Sequence, residues 1–154
     1  MEEIKILRLE EIKILRLEEI SCKVLEAINR LLSQLVTSKS IILSEVQLKE
    51  IISSSSSEIF LMYKGNEIIG MFTIANYLTP TGHKYWLEDV VLDNRYRGQL
   101  LGKRMVEEAI RLVEERGKST FMLTSKPVRV VANKLYSSLG FEKKETNVYK
   151  MDFI

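Results

Sequence analysis

"WLEDVVLDNRYRGQLLGKRMVEEAI", residues 86–110, joins an apolar run to a stretch in which Leu101, Met105 and Ala109 recur every fourth position. The first half has the aromatic and β-branched composition of a strand, and the second has the period of one helix face. Between them lie Gly98, Gly102 and the cations Arg95, Arg97, Lys103 and Arg104. A helix start leaves its first N–H groups without partners and carries partial positive charge, so such a join is a candidate phosphate cradle. Gly98 permits close backbone approach or a positive φ. The plain alternative is a glycine turn with solvated arginines. Two nucleotide motifs are excluded. A P-loop needs four residues between its glycines and Ser or Thr after its lysine, whereas three residues separate Gly98 from Gly102 and Arg104 follows Lys103. The dinucleotide pattern fails because Leu100 stands where the second glycine belongs.

Outward from this join the chain alternates between strand and helix signals. The helix is expected over 99–116, with Gly117 as its C-terminal cap, followed by the short strand "STFMLTS". Pro127 suits the first turn of a helix that runs to Leu139 and stops at Gly140, and "FEKKETNVYKMDFI" reads as a last strand or pair of strands. Upstream, "KYWLEDVVLD" is a strand after the turn "TPTG". "EIFLMYKGNEIIGMFTIANY" is a hairpin about Gly65 and Asn66. The serines 53–57 form a loop, and Ser44 with Gln47 forms a capping box ahead of a second helix. Ile20, Val24, Leu25, Ile28, Leu31, Leu32 and Leu35 mark an amphipathic helix over about 18–36. "EEIKILRL" occupies 2–9 and again 10–17, too short a unit for a solenoid. A local duplication follows, its second copy placed to be the first strand and its first copy an extension or added edge strand. The expected organisation is therefore a duplicated segment at 1–17 and one domain over 18–154. Its order is β-α-α-β-β-β-α-β-α-β, an α/β (α+β) chain with a mixed sheet flanked by helices.

Bulk properties narrow the function. With 154 residues, 45% hydrophobic and 29% charged, the chain can bury a real core. A net charge of +2 from 23 basic and 21 acidic residues argues against a general nucleic-acid partner. No apolar run approaches the roughly 20 residues of a membrane helix, and "EEIKILRLEE" after Met1 is too charged for a signal peptide, so the expected place is the cytoplasm with no membrane partner. Single cysteine and histidine residues exclude an internal disulfide and Cys- or His-rich metal centres, so no metal is expected. Cys22 reads as a buried structural thiol on an apolar helix face, and His83 as a loop histidine without a catalytic role. Regular alternation would send the adjacent Glu88 and Asp89 to opposite faces, so that one of them meets the substrate cleft and the two do not form a paired-carboxylate site.

The stretch 86–110 resembles the acetyl-CoA-binding segment of the GNAT superfamily of N-acetyltransferases, whose signature is Arg or Gln, two residues, Gly, one residue, then Gly or Ala. "ANKLYSSLGFEKKETNVYKMDF" is similar to that family's closing segment, a helix carrying a tyrosine shortly before a Gly-Phe step. The resemblance covers 58–154 well and implies a mostly antiparallel GNAT-like sheet, acetyl-CoA as co-substrate and direct acetyl transfer to an amine. It implies backbone contacts from Val90, Val91 and Leu92 to the pantetheine arm, with an N–H near Val91 polarising the thioester carbonyl. It also implies wrapping of the pyrophosphate by Arg97, Gly98, Gln99, Leu100, Leu101, Gly102 and Lys103. Leu100 replaces the family's central glycine, and Arg129 stands where the family often has an asparagine, leaving Asn133 or Arg129 to make that contact. In relatives with a similar "LED", polyamine acetyltransferases among them, the glutamate is the proposed base, which places that role on Glu88. Tyr136 matches the tyrosine that protonates the leaving thiolate.

The amine of a small metabolite is the expected acceptor. A protein or peptide acetyltransferase and a non-catalytic acyl-CoA-binding module are the alternatives. Asp89, Lys126 and Arg129 are further candidate substrate contacts, the latter two for an anionic group. The 53–57 loop and the "YLTPTGHKYW" turn are candidate substrate walls, and the duplicated strand and last strand are candidate edges for a homodimer.

Overall fold

Turn and cap chemistry sets the boundaries of the elements. The computed structural model describes residues 11–35 and 41–154. The first copy of the repeat, at 2–9, and the expected helix end at Val36 lie outside these residues. The chain forms two compact units, Met1–Leu123 and Thr124–Ile154.

In the first unit, β1 (Ile12–Arg16) falls within the second copy of the repeat, and α1 spans Cys22–Leu32. Ser21 sets the start of α1, its Oγ accepting from the Val24 N–H at 3.2 Å. The helix therefore begins later than the apolar spacing alone suggests. Cys22 falls at its first position and is exposed, which corrects the buried-thiol reading: the buried face of α1 is Ala27, Ile28, Leu31 and Leu32. The capping box forms as expected at the start of α2 (Glu45–Ser53), with the Gln47 N–H donating to Ser44 Oγ at 3.2 Å and the Ser44 N–H donating to Gln47 Oε1 at 2.9 Å. Then come β2 (Ser57–Lys64), a two-residue turn with Gly65 at φ 58°, β3 (Glu67–Thr79) and β4 (Gly82–Leu92). His83 sits at the start of β4 and not in a loop, stacked on Tyr85 with its Nε2 3.0 Å from Asn76 Oδ1. A 3-10 turn at Asn94–Tyr96 leads to α3 (Leu101–Glu114), whose expected cap Gly117 has φ 94°. The three-residue β5 (Thr120–Met122) follows.

The sheet runs β1-β2-β3-β4-β5, antiparallel except for the parallel pair β4·β5. Helices α1 and α2 cover one face over Ile59, Leu61, Ile68, Met71 and Val91. On β3, Gly70 makes room for α3. A Cβ there would lie 2.9 Å from Met105 Sδ and 3.2 Å from the Val91 carbonyl, and Met105 is itself buried. Gly70→Ala is accordingly expected to lower stability by about 1–3 kcal/mol through overpacking, read as a shifted denaturation midpoint at unchanged slope.

The second unit holds one helix, α4 (Val130–Ser138), with Gly140 at φ 102° beyond it. The expected closing strand is not formed: 141–154 makes no ladder among the described residues. Alternation in "NVYKMDFI" supplies a face for a strand, and a strand also needs a hydrogen-bonding partner.

Candidate active site

The two adjacent carboxylates of β4 come to one place, contrary to the alternation argument. The β3·β4 register pairs Met71 with Val91 and Thr73 with Glu88, so two residues of β4 oppose the single Phe72. This is a bulge, and Asp89 takes up its strain at φ 49°, in the left-handed region. The extra residue lets Glu88 and Val91 share the α1/α2 face although they are three positions apart. Glu88 and Asp89 both line one cavity of about 480 Å³, close enough for the charge of Asp89 to act on Glu88. The Ser57 end of the serine loop reaches this cavity too, whereas residues 77–86 contribute nothing to it. Its remaining walls are mostly aliphatic side chains of α1, α2, the 41–43 segment and the sheet. Desolvation raises the pKa of Glu88, assisted by the negative charge of Asp89, and desolvation also raises that of Asp89.

The cations of the join separate into structural and available groups. Asp93, buried at 2% exposure, accepts from the Arg95 N–H at 3.1 Å and from the Arg95 guanidinium at 3.1 and 3.3 Å, and lies 3.7 Å from Arg30 Nε. Arg95 and Tyr96 both donate to Glu67, and Gln34 Oε1 accepts from the Asn94 N–H at 2.8 Å. Arg104 donates to the Ile12 carbonyl at 3.2 Å. Arg95 and Arg104 therefore hold the scaffold. Arg97 is exposed, and among the described residues Lys103 forms a 3.7 Å pair with Glu107 one turn along α3. No side chain caps α3, because its N-cap is Leu100 at φ 61°, ψ 14°. The helix expected over 99–116 would give Leu100 helical angles; it sits instead in the left-handed region, with a side chain 77% exposed. Leu100→Gly is expected to raise stability by up to about 1 kcal/mol and to tighten binding of a diphosphate ligand, checked by denaturation and calorimetry.

Beyond Trp86, paired with Met122, β4 runs on from Leu87 to Leu92 without a β5 partner among the described residues. Val90, Val91 and Leu92 belong to this unaccompanied stretch. In the second unit, Tyr136 packs edge-on to Phe141 at 6.1 Å between centroids. Burial pushes its phenol above the usual value, with Arg129 pulling the other way. Asn133 donates from Nδ2 to the carbonyls of Lys126 at 2.9 Å and Arg129 at 2.8 Å, so its amide staples the turn ahead of α4. The side chains of Lys126 and Arg129 are exposed.

Residues 25–141 match the acetyltransferase (GNAT) family. The chain belongs to that family. It is an N-acetyltransferase by this membership, and the enzymes of the family use acetyl-CoA as co-substrate. No curated protein matches the chain. Among solved structures, an aminoglycoside acetyltransferase from an uncultured soil metagenomic sample is similar at TM-score 0.81 and 19% identity, over 94% of this chain and 97% of that one, which shows the shared fold. Glucosamine-6-phosphate N-acetyltransferase from Arabidopsis thaliana is similar at TM-score 0.74 and 25% identity, over 91% and 97%. A transcriptional regulator from Bacillus halodurans C-125 is similar at TM-score 0.76 and 28% identity, over 92% and 99%.

The α3 start of this acetyltransferase fits a diphosphate. A Cβ on Gly98 or Gly102 would meet nothing within 4 Å, so neither glycine is required by internal packing, and Arg97 lies beside an uncapped helix end. Among the described residues no group of three or more His, Cys, Asp and Glu could hold a metal ion, and no helix is long and apolar enough to cross a membrane. Sequence reasoning missed Asp93 as the anchor of the join. Its signal was available: an aspartate two residues before the N–H it accepts makes an Asx-turn.

Proposed function

We propose that this chain moves the acetyl group of acetyl-CoA directly to the primary amine of a small metabolite. The observation that carries the reading is that one strand presents Glu88 and Asp89 in a cavity and then ends in an uncapped helix start flanked by Arg97. Acetyl-CoA supplies an activated thioester. Arg97, Lys103 and the first-turn amides of α3 hold its diphosphate, and the backbone of Val90, Val91 and Leu92 lies along its arm. Glu88 accepts one proton from the substrate ammonium, freeing the lone pair that attacks the acetyl carbon, while Asp89 holds the cationic head in place. A base with a pKa above the ordinary carboxylate value suits that task near neutral pH. Tyr136 gives the proton that the departing thiolate takes, on the strength of its motif match and of a phenol kept protonated by burial. The amine loses its second proton to solvent.

Thiol release from acetyl-CoA, measured with alkylamines, diamines, kanamycin, glucosamine 6-phosphate and peptides, tests the reading. Amine-dependent release with small amines supports it, and preferred release with peptides overturns the metabolite assignment. Acetyl-CoA binding without release on any amine indicates a binding module.

A further inference from the structure

The character of the cavity narrows the amine. Its walls come from α1, the 41–43 segment, α2 and three strands, and the side chains facing it are Ile28, Leu32, Ile51, Ile59, Met71 and similar aliphatic groups. Among the described lining residues only Glu88 and Asp89 carry charge, and Ser57 and Thr73 supply the only hydroxyls. No lysine or arginine lines it among the described residues. Against the described lining, an aminosugar would bring several hydroxyls to mostly aliphatic walls, and each polar group left without a partner weakens binding. Among the described lining residues a phosphate would meet two carboxylates and no cation to offset them. A second ammonium at the far end of a substrate would be desolvated against aliphatic side chains.

Resting on the acetyl-transfer reading of the same cavity, we infer that its substrate is a monocationic primary amine on an apolar stem, an alkylamine or arylalkylamine. The ammonium sits on Glu88 and Asp89 and the stem lies along Ile41, Leu43, Ile51 and Ala75, above the buried floor of Ile28, Ile59 and Met71. The volume of about 480 Å³ is in the range of small-ligand pockets.

The test is steady-state thiol release by the whole wild-type chain with saturating acetyl-CoA and a series of amines. From propylamine to hexylamine, kcat/KM should rise about fourfold for each added methylene, the factor expected for burying one such group. Phenethylamine should rank with the longer members. Hexylamine and 1,6-diaminohexane share a stem and differ in one terminal charge, so the diamine should be at least about tenfold poorer. A flat or falling chain-length series, or a preference for the diamine, kanamycin or glucosamine 6-phosphate, overturns the apolar-stem inference while leaving acetyl transfer standing. Release with no amine at all overturns both.

Discussion

Glu88→Gln is expected to lower turnover on the preferred amine by about 10²–10⁴-fold, the contribution typical of a positioned general base, with acetyl-CoA binding unchanged. Asp89→Asn should mainly raise KM, because its carboxylate holds the ammonium and does not take the proton. The two variants also separate by pH. In the wild-type chain the acid limb of kcat/KM should fall above the ordinary carboxylate range, since desolvation and the charge of Asp89 both raise the pKa of Glu88. In Asp89→Asn one of those causes is gone, so the limb should move toward lower pH. Stability gives an independent reading. A carboxyl whose pKa is raised by folding binds its proton more tightly in the native state, so it costs stability as pH rises through the ordinary carboxylate range toward the raised value. Glu88→Gln should therefore melt at the same or a higher temperature than wild type at neutral pH, and the difference should vanish below about pH 4, where the glutamate is protonated in both states. A variant that loses activity and also melts much lower would assign Glu88 a structural role instead.

Asp93→Ala is expected to cost about 1–3 kcal/mol of stability and to weaken acetyl-CoA binding together with it. The carboxylate is buried and organises Arg95, the Arg95 amide and Arg30, which join the turn after β4 to α1 and, through Glu67, to β3. The side chains of both arginines remain partly exposed and can return to water, which keeps the loss below that of a fully buried ion pair. Hydrogen bonding from Arg95 holds the Asp93 carboxyl below its usual pKa, against the opposing effect of burial. The sign is therefore opposite to that of Glu88: the stabilisation is present above the unfolded pKa and is lost as pH falls through the lowered native value. The gap in melting temperature between wild type and Asp93→Asn should be widest near neutral pH and shrink in acid. Equal acetyl-CoA affinity in a folded Asp93→Asn protein would show that the cradle does not depend on this anchor.

Local chemistry made most of the fold legible in advance. The Ser44–Gln47 capping box, the Gly65 turn, the Gly117 stop and the strand-to-helix join at Gly98 each carry their signal within a few residues. What escaped depends on pairing across the chain. The bulge at Asp89 is a mismatch between β3 and β4, invisible in either strand alone, and it reverses the alternation argument about the two carboxylates. Burial of Cys22 was misjudged because one residue's phase depends on where Ser21 starts the helix. The left-handed Leu100 replaces a glycine without any local sign that leucine would accept that geometry. Likewise, which cations are available could not be read from "RYRGQLLGKR": Arg104 is drawn to the carbonyl of Ile12, far away in sequence.

Calorimetric titration of the wild-type chain and of Arg97→Ala with acetyl-CoA bears most directly on the strand-to-helix cradle. The account predicts measurable heat and 1:1 binding for wild type, weakened at least about tenfold in Arg97→Ala, the loss of one charge-assisted contact to phosphate. No heat from the wild-type chain at millimolar acetyl-CoA, or equal affinity in the two proteins, would contradict it.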